Sequence, residues 1–294
     1  MIEVLAPGPY ATIQDLGRPG FAHLGVPRSG AADAPSLRLA NRLVGNRDDA
    51  AGVELTFGGA ALRFRGGGWV ALTGAPCPVE VSGRPAGMDA PVWVPPEAVL
   101  RVGTPREGLR TYVAVRGGVR VERVLGSRST DSLSGLGPPR LEAGTVLPVG
   151  TAAPAAIRVD HVPRRRPPRP PVVRVLPGPR DDWFVREALE ILCAGPYEVT
   201  PASNRIGARL RGAPLARRVG GELPSEGMPL GAVQVPPEGQ PIVFLADHPP
   251  TGGYPVIAVV AAADVPVVAQ TRPGDLLGFR LVQAANPMSS YFRS

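Results

Sequence analysis

The segment ADHPPTGGYP at 246–255 sets one carboxylate, Asp247, just ahead of Thr251, Gly252 and Gly253. Asp247 has the chemistry of a general base or an orienting carboxylate. The threonine and the two glycine amides have that of a donor cradle for an anion or a developing oxyanion. The same residues also suit an Asx turn closing a hairpin. SNRIGARL at 203–210 adds a neutral amide, Asn204, and a planar cation, Arg205, whose fork matches a carboxylate in two-pronged fashion. Gln234 in GAVQVPPEG and Gln270 in VVAQTRPG offer an amide donor and acceptor, and Tyr254 a phenol next to the glycines. TIQDLGRPG at 12–20 brings Arg18, GVPRSGAAD at 25–33 brings Ser29, and GSRSTD at 126–131 is of the same kind. In each, glycine lets the backbone approach a ligand while a polar side chain directs a hydrogen bond.

What is missing narrows the chemistry. The sequence has no G-x-S-x-G elbow, no H-E-x-x-H and no dinucleotide-binding glycine fingerprint. His23, His161 and His248 are lone and far apart, which speaks against a triad or a metal site; His23 and His248 read as loop hydrogen-bonders. Cys77 and Cys193 stand in unrelated contexts and read as small apolar residues, with no disulfide framework. All 32 basic residues are arginine. A chain without lysine has no Schiff-base lysine, no phosphate-gripping P-loop lysine and no biotin-bearing lysine, so any such group must come from a partner. The net charge of +7 is dispersed; only Arg164, Arg165, Arg166 and Arg169 cluster, without interleaved aromatics, so nucleic acid is not an expected partner.

The elements that must position these residues are short. The 37 Gly and 37 Pro cut apolar runs such as GWVALTG, LRTYVAVRGG, PIVFLADH and YPVIAVVA, the pattern of sheets closed into barrels or sandwiches. Asp33 caps an expected helix through APSLRLANRLVG with Pro35 in its first turn, and Asp181 one through DWFVREALEILCAG. An Asp-x-Pro start recurs at Asp264. The Pro-, Ala- and Arg-rich stretch 151–171 reads as a semi-extended linker. The expected organisation is a first half at 1–155, a linker at 156–171 and a second half at 172–294. No apolar run of membrane-spanning length and no signal-peptide pattern occurs, so the expected location is the cytoplasm.

QDLGRPG, SGAAD, NRLVGN, GSRSTD, SNRIGARL, LGAVQVPPEGQPI, TGGYPVIA and AQTRPGD follow in the order seen in allophanate hydrolase subunit 2, the KipA family, which this sequence resembles over nearly its whole length. Ala32 and Ile206 stand where that family usually has Met. The resemblance implies a mainly β fold with short helices, two cyclophilin-like β-barrels in tandem, and assembly with a KipI-type partner. Family members serve as the C subunit of an ATP-dependent 5-oxoprolinase, beside one KipI-type and one LamB/YcsF-type subunit. Others are the carboxyltransferase part of biotin-dependent urea carboxylase, or antagonise a KipI-type kinase inhibitor.

The reading this favours is ring opening of 5-oxoproline to L-glutamate, ATP activating the lactam oxygen on this or a partner chain, because a free-standing chain of this length is how the oxoprolinase component usually occurs. Carboxyl transfer would require biotin on a separate carrier. Asp247, Thr251, Gly252 and Gly253 are the expected catalytic set, and Asn204, Arg205, Gln234, Tyr254, Arg18 and Ser29 the expected substrate contacts. Asp247→Asn and Arg205→Ala are expected to abolish turnover in a protein that stays folded.

Overall fold

The computed structural model describes residues 1–152, 156–163, 168–221 and 223–282. Arg164, Arg165 and Arg166 of the basic cluster lie outside the described residues, as do parts of the expected linker. The first half supplies β1 (Ile2–Ala6), β2 (Tyr10–Gln14), β3 (Gly52–Thr56), β4 (Ala60–Phe64), β5 (Gly68–Gly74) and β6 (Val79–Val81). It continues with β7 (Arg84–Ala86), β8 (Pro91–Val94), β9 (Val99–Val102), β10 (Arg110–Val115) and β11 (Val146–Leu147). These strands form a six-stranded sheet, β11-β1-β4-β9-β6-β7, and a five-stranded sheet, β2-β3-β10-β5-β8. Alternate residues of both sheets, among them Val4, Ile13, Leu55, Leu62, Leu72 and Leu100, meet in one core.

The second half supplies β12 (Val172–Pro177), β13 (Tyr197–Val199), β14 (Gly207–Arg211), β15 (Glu226–Gly227) and β16 (Ala232–Gln234). After these come β17 (Ile242–Phe244), β18 (Thr251–Gly252), β19 (Val256–Val260) and β20 (Leu276–Leu281). Seven of them close a barrel in the order β12-β19-β16-β17-β14-β13-β20, and β15 pairs with β18 as a separate ribbon. The ring closes because β12 lies parallel to β20, from Val172 opposite Gly278 to Val175 opposite Leu281. Strand β12 shows the two-residue period: Val173 and Val175 point into the core while Arg174 points out and pairs with Asp264. The mainly β class follows the sequence. The second half closes as a seven-stranded barrel, while the first half packs a six-stranded and a five-stranded sheet around one core.

Helix α1 (Ala34–Leu43) forms where Asp33 marks it: the Asp33 carboxylate accepts from the Ser36 amide at 3.1 Å, Pro35 sits in the first turn, and Leu37, Ala40 and Leu43 are buried. The helix expected from Asp181 is shorter. A single 3-10 turn at Asp181–Trp183 ends at an extended Phe184, and α2 (Ala188–Ala194) starts only afterwards, without a side-chain cap. Phe184 is buried in the barrel core, and seating its ring there outweighs continuing a helix that lacks a cap. Helix α3 (Val265–Ala269) starts after Asp264, whose carboxylate goes to Arg174 rather than to the helix amides.

The described part of the linker is docked, since the Val162 amide donates to the Asp89 carbonyl at 2.9 Å and its side chain packs against the cluster of Leu43 and Ala71. Neither cysteine forms a disulfide among the described residues, and both are half-buried. No helix among the described residues is long and apolar enough to cross a membrane.

Candidate functional site at the seam of the two halves

Five of the polar segments converge where the halves meet. Arg205 follows the Asn204 turn that leads into β14, and Asp247 lies beyond the end of β17, where its backbone amide donates to the Arg205 carbonyl at 3.0 Å. Adjacent strand ends thus hold the two side chains side by side. The guanidinium grips Asp247 with two parallel hydrogen bonds, Nε to Oδ2 and Nη2 to Oδ1, both 2.9 Å. It also donates through Nη1 to Glu54 on β3 and through Nη2 to the Gly30 carbonyl at 2.6 Å. Asp247 accepts further from Ser29 Oγ at 2.9 Å, the Ser132 amide at 3.0 Å and Ser132 Oγ at 2.6 Å. Arg205 is 3% exposed and Asp247 fully buried.

The charges reinforce one another. Burial pulls the Arg205 guanidinium down, but the Glu54 and Asp247 carboxylates more than offset this and hold it well above the ordinary arginine value. Burial likewise pushes Asp247 up, and the Arg205 charge with the Ser132 donors brings it below the ordinary carboxylate value. Glu54 Oε2 accepts from Tyr112 Oη at 2.8 Å and from the Ala32 amide at 3.0 Å, and Arg110 Nε lies 3.5 Å from Oε1. Tyr10 on β2 is half-buried and raised, first by burial, with Arg205, Asp247 and Glu54 all acting on it.

A second buried cluster fastens the segment that carries Ser129, Thr130 and Ser132. Asp15 Oδ1 accepts from Ser127 Oγ and Ser129 Oγ, both at 2.6 Å, and Oδ2 from the Arg128 amide at 2.7 Å. Arg18 donates to the Ser129 carbonyl, and its Nη1 sits 3.8 Å from Asp131 without a hydrogen bond. Ser29 Oγ, 2.9 Å from the Thr130 carbonyl, links this cluster to Asp247.

The structure therefore brings Arg205, Asp247 and Ser29 into direct contact and ties Arg18 to them through residues 129–132. It places the other expected residues elsewhere. Asn204 Oδ1 accepts from the amides of Ile206 and Gly207, closing its own turn. Thr251 is exposed, Gly252 and Gly253 are half-buried, and β18 pairs with β15. Gln234 Nε2 donates to the Tyr254 carbonyl at 3.1 Å, and Arg217 lies over the Tyr254 ring. Gln234 and Tyr254 thus belong with the Thr251–Gly253 cradle. Arg205 is not a free carboxylate clamp, because protein acceptors already take its Nε, Nη1 and Nη2. His248 is stacked on Phe244 with Nδ1 against the Pro249 carbonyl, a loop contact rather than a ligand. Among the described residues no group of side chains is arranged to hold a metal ion.

Sequence reasoning missed Glu54, Tyr112 and Ser132. Only Glu54 left a trace, a lone carboxylate within the apolar strand GVELT.

The sequence matches the family model described as carboxyltransferase domain, subdomain A and B, over residues 24–281. The chain belongs to that family. Among carboxyltransferase-domain relatives, the 5-oxoprolinase C subunit of Escherichia coli strain K12 is 38% identical over 292 residues, 95% of this chain and 90% of that protein. The solved structure of TTHA0988 superposes with a TM-score of 0.87 at 38% identity and covers 95% of this chain. Kluyveromyces lactis urea carboxylase superposes with a TM-score of 0.85 at 30% identity over 96% of it. The chain spans 55% of the TTHA0988 chain and 27% of the urea carboxylase chain. This carboxyltransferase-domain fold therefore recurs inside longer proteins.

One seam carboxylate has an opposite electrostatic setting. Burial raises Asp33, and its partners, Gln270 Nε2 at 2.8 Å and Ser36, are neutral. A carboxyl raised by folding stabilises the fold fully below its unfolded pKa and loses that contribution as pH rises through the folded value. Asp33→Asn, which keeps a good cap, is therefore expected to gain stability relative to the parent as pH rises from acid to neutral. Urea unfolding at a series of pH values reads the difference, and a constant offset would remove the argument.

Proposed function

We propose that this chain acts as the C subunit of an ATP-dependent 5-oxoprolinase that opens 5-oxoproline to L-glutamate. The observation that carries the reading is the match to the 5-oxoprolinase C subunit of Escherichia coli, at 38% identity and over 90% of that protein's length, against 30% for urea carboxylase. An unstrained lactam is a poor electrophile, so attack requires activation of its oxygen by ATP and stabilisation of the tetrahedral centre. The solvent-facing cradle of Thr251, Gly252 and Gly253, backed by Gln234, is the part of this chain suited to the second task. Asp247 and Arg205, locked together beneath the surface, act as positioning residues that hold the two halves in register. A chain without lysine has no P-loop lysine for the ATP phosphates. ATP then belongs to a partner or to an interface with the KipI-type and LamB/YcsF-type subunits.

The second reading, carboxyl transfer to urea or another amide, is favoured by the family description and by the urea carboxylase likeness. It needs biotin carried by another chain.

The test is glutamate release from 5-oxoproline and ATP by the reconstituted complex, with and without this chain. Release is expected to depend on it, and Thr251→Val is expected to lower kcat about a hundredfold with an unchanged Tm, because Thr251 is exposed. Glutamate release that is unaltered when the chain is left out would defeat the oxoprolinase reading. Biotin- and urea-dependent phosphate release in its place would favour the second.

A further inference from the structure

The substrate proposed above carries a carboxylate beside its lactam, and a guanidinium next to the cradle has the chemistry to hold it. Arg205 is already committed to Asp247, Glu54 and the Gly30 carbonyl. Arg180 is occupied too, since it makes two hydrogen bonds to Glu226 on β15, and Glu226 stands opposite Gly252 of the cradle.

Arg217 is differently placed. Its backbone is pinned, because it forms a bridge with Phe184 and the amides of Val185 and Arg218 donate to the carbonyls of Ala216 and Trp183 at 3.1 and 2.8 Å. Its side chain is aimed from the end of β16. Nη2 donates to the Val235 carbonyl, and the Val235 amide donates at 3.1 Å to the carbonyl of Pro255, the residue after Tyr254. The guanidinium carbon lies 5.7 Å from the centroid of the Tyr254 ring, and Tyr254 directly follows Gly253. Among the described residues neither Nε nor Nη1 has a hydrogen-bond partner, and no carboxylate lies within ion-pair distance. Arg217 is half-buried and also forms part of the wall of an open cavity of about 440 Å³, with Leu215, Val219, Pro237 and Glu238.

We propose that Arg217 is a specificity-determining residue that binds the substrate's carboxylate through its Nη1 edge. The Tyr254 ring and the Val235 carbonyl fix the plane of the guanidinium, and both leave its positive charge unpaired. The inference rests on the oxoprolinase reading and narrows its substrate class to amides and lactams with an anionic group beside the bond that breaks. Urea has no such group.

Steady-state kinetics of the reconstituted complex, with glutamate release followed against 5-oxoproline and against ATP, test this. Arg217→Gln is expected to raise the KM for 5-oxoproline about thirtyfold, the loss of one hydrogen bond to a charged group. The kcat should fall much less, because an anchor remote from the reacting bond holds ground state and transition state alike. Neither the KM for ATP nor the Tm of the chain should move. Arg217→Lys, which keeps the charge and loses the fork, should restore part of the affinity. A structural role would instead lower the Tm or shift both KM values together. An unchanged KM for 5-oxoproline in Arg217→Gln, or a rise matched by that for ATP, would overturn the inference and leave the oxoprolinase reading standing. Should that variant fail to fold, Arg217→Met, which keeps an unbranched stem over Tyr254, decides by the same measurement. Glutamate release that does not depend on this chain would remove both.

Discussion

Arg205→Ala is expected to lower the unfolding free energy by about 3–5 kcal/mol, because it strands the buried Asp247 carboxylate and leaves the buried Glu54 with the Arg110 guanidinium 3.5 Å away. Truncating one member of a buried ionic cluster costs more than the cluster is worth, since the remaining charges stay desolvated. Two consequences distinguish this from an ordinary cavity. The triple variant Arg205→Met, Glu54→Gln, Asp247→Asn should recover much of the loss, as neutralising all members removes the stranded charge. The single variant should also lose less at low pH, where Asp247 can protonate. The parent itself should destabilise as pH falls through the depressed pKa of Asp247, below the ordinary carboxylate range. Urea unfolding curves of the three proteins at neutral and acid pH measure all of this. A loss below about 1 kcal/mol for Arg205→Ala, the range of exposed ion pairs, would mean that the cluster is not what joins the halves. Where the sequence alone led to the expectation of an inactive but folded Arg205→Ala protein, the buried cluster leads to the expectation that inactivity comes with loss of the seam.

Gly17→Ala should be nearly as severe. Gly17 sits at φ +83°, where an L side chain is strained by about 1–2 kcal/mol, and a methyl group there would run into the Arg28 carbonyl and come within 2.6 Å of the Ser29 carbonyl. Both obstacles are backbone. The loop must move, carrying Ser29 away from Asp247 and the Thr130 carbonyl. Gly30 is the reciprocal case, at φ +95° with its own added methyl 2.8 Å from the Gly17 nitrogen. Thermal unfolding of Gly17→Ala should show a Tm drop of many degrees, whereas Gly20→Ala, a positive-φ position in open space, should show only the smaller conformational penalty. Equal drops would argue that the close approach of the two loops contributes nothing.

These glycines show what the motifs are for. In QDLGRPG and SGAAD, glycine lets backbone meet backbone rather than ligand, and the polar residues beside it, Asp15, Arg18 and Ser29, bind the GSRSTD segment and Asp247. Motif spacing identified the segments that matter. It did not identify their partners, which lie more than a hundred positions away, as Asp15 and Ser129 do.

The sequence by itself determined the β-rich class through short apolar runs cut by Gly and Pro, helix α1 through Asp33 and Pro35, and the absence of lysine chemistry. Those are local or compositional properties. Tertiary structure decided the rest. It closed the second half into a barrel while leaving the first as two sheets, cut short the Asp181 helix to bury Phe184, and locked Arg205 and Asp247 together. The physical reason is that charge pairing and burial depend on which strand ends meet in space. A carboxylate such as Glu54, unremarked in its own strand, takes its role from an arginine on the other half of the chain.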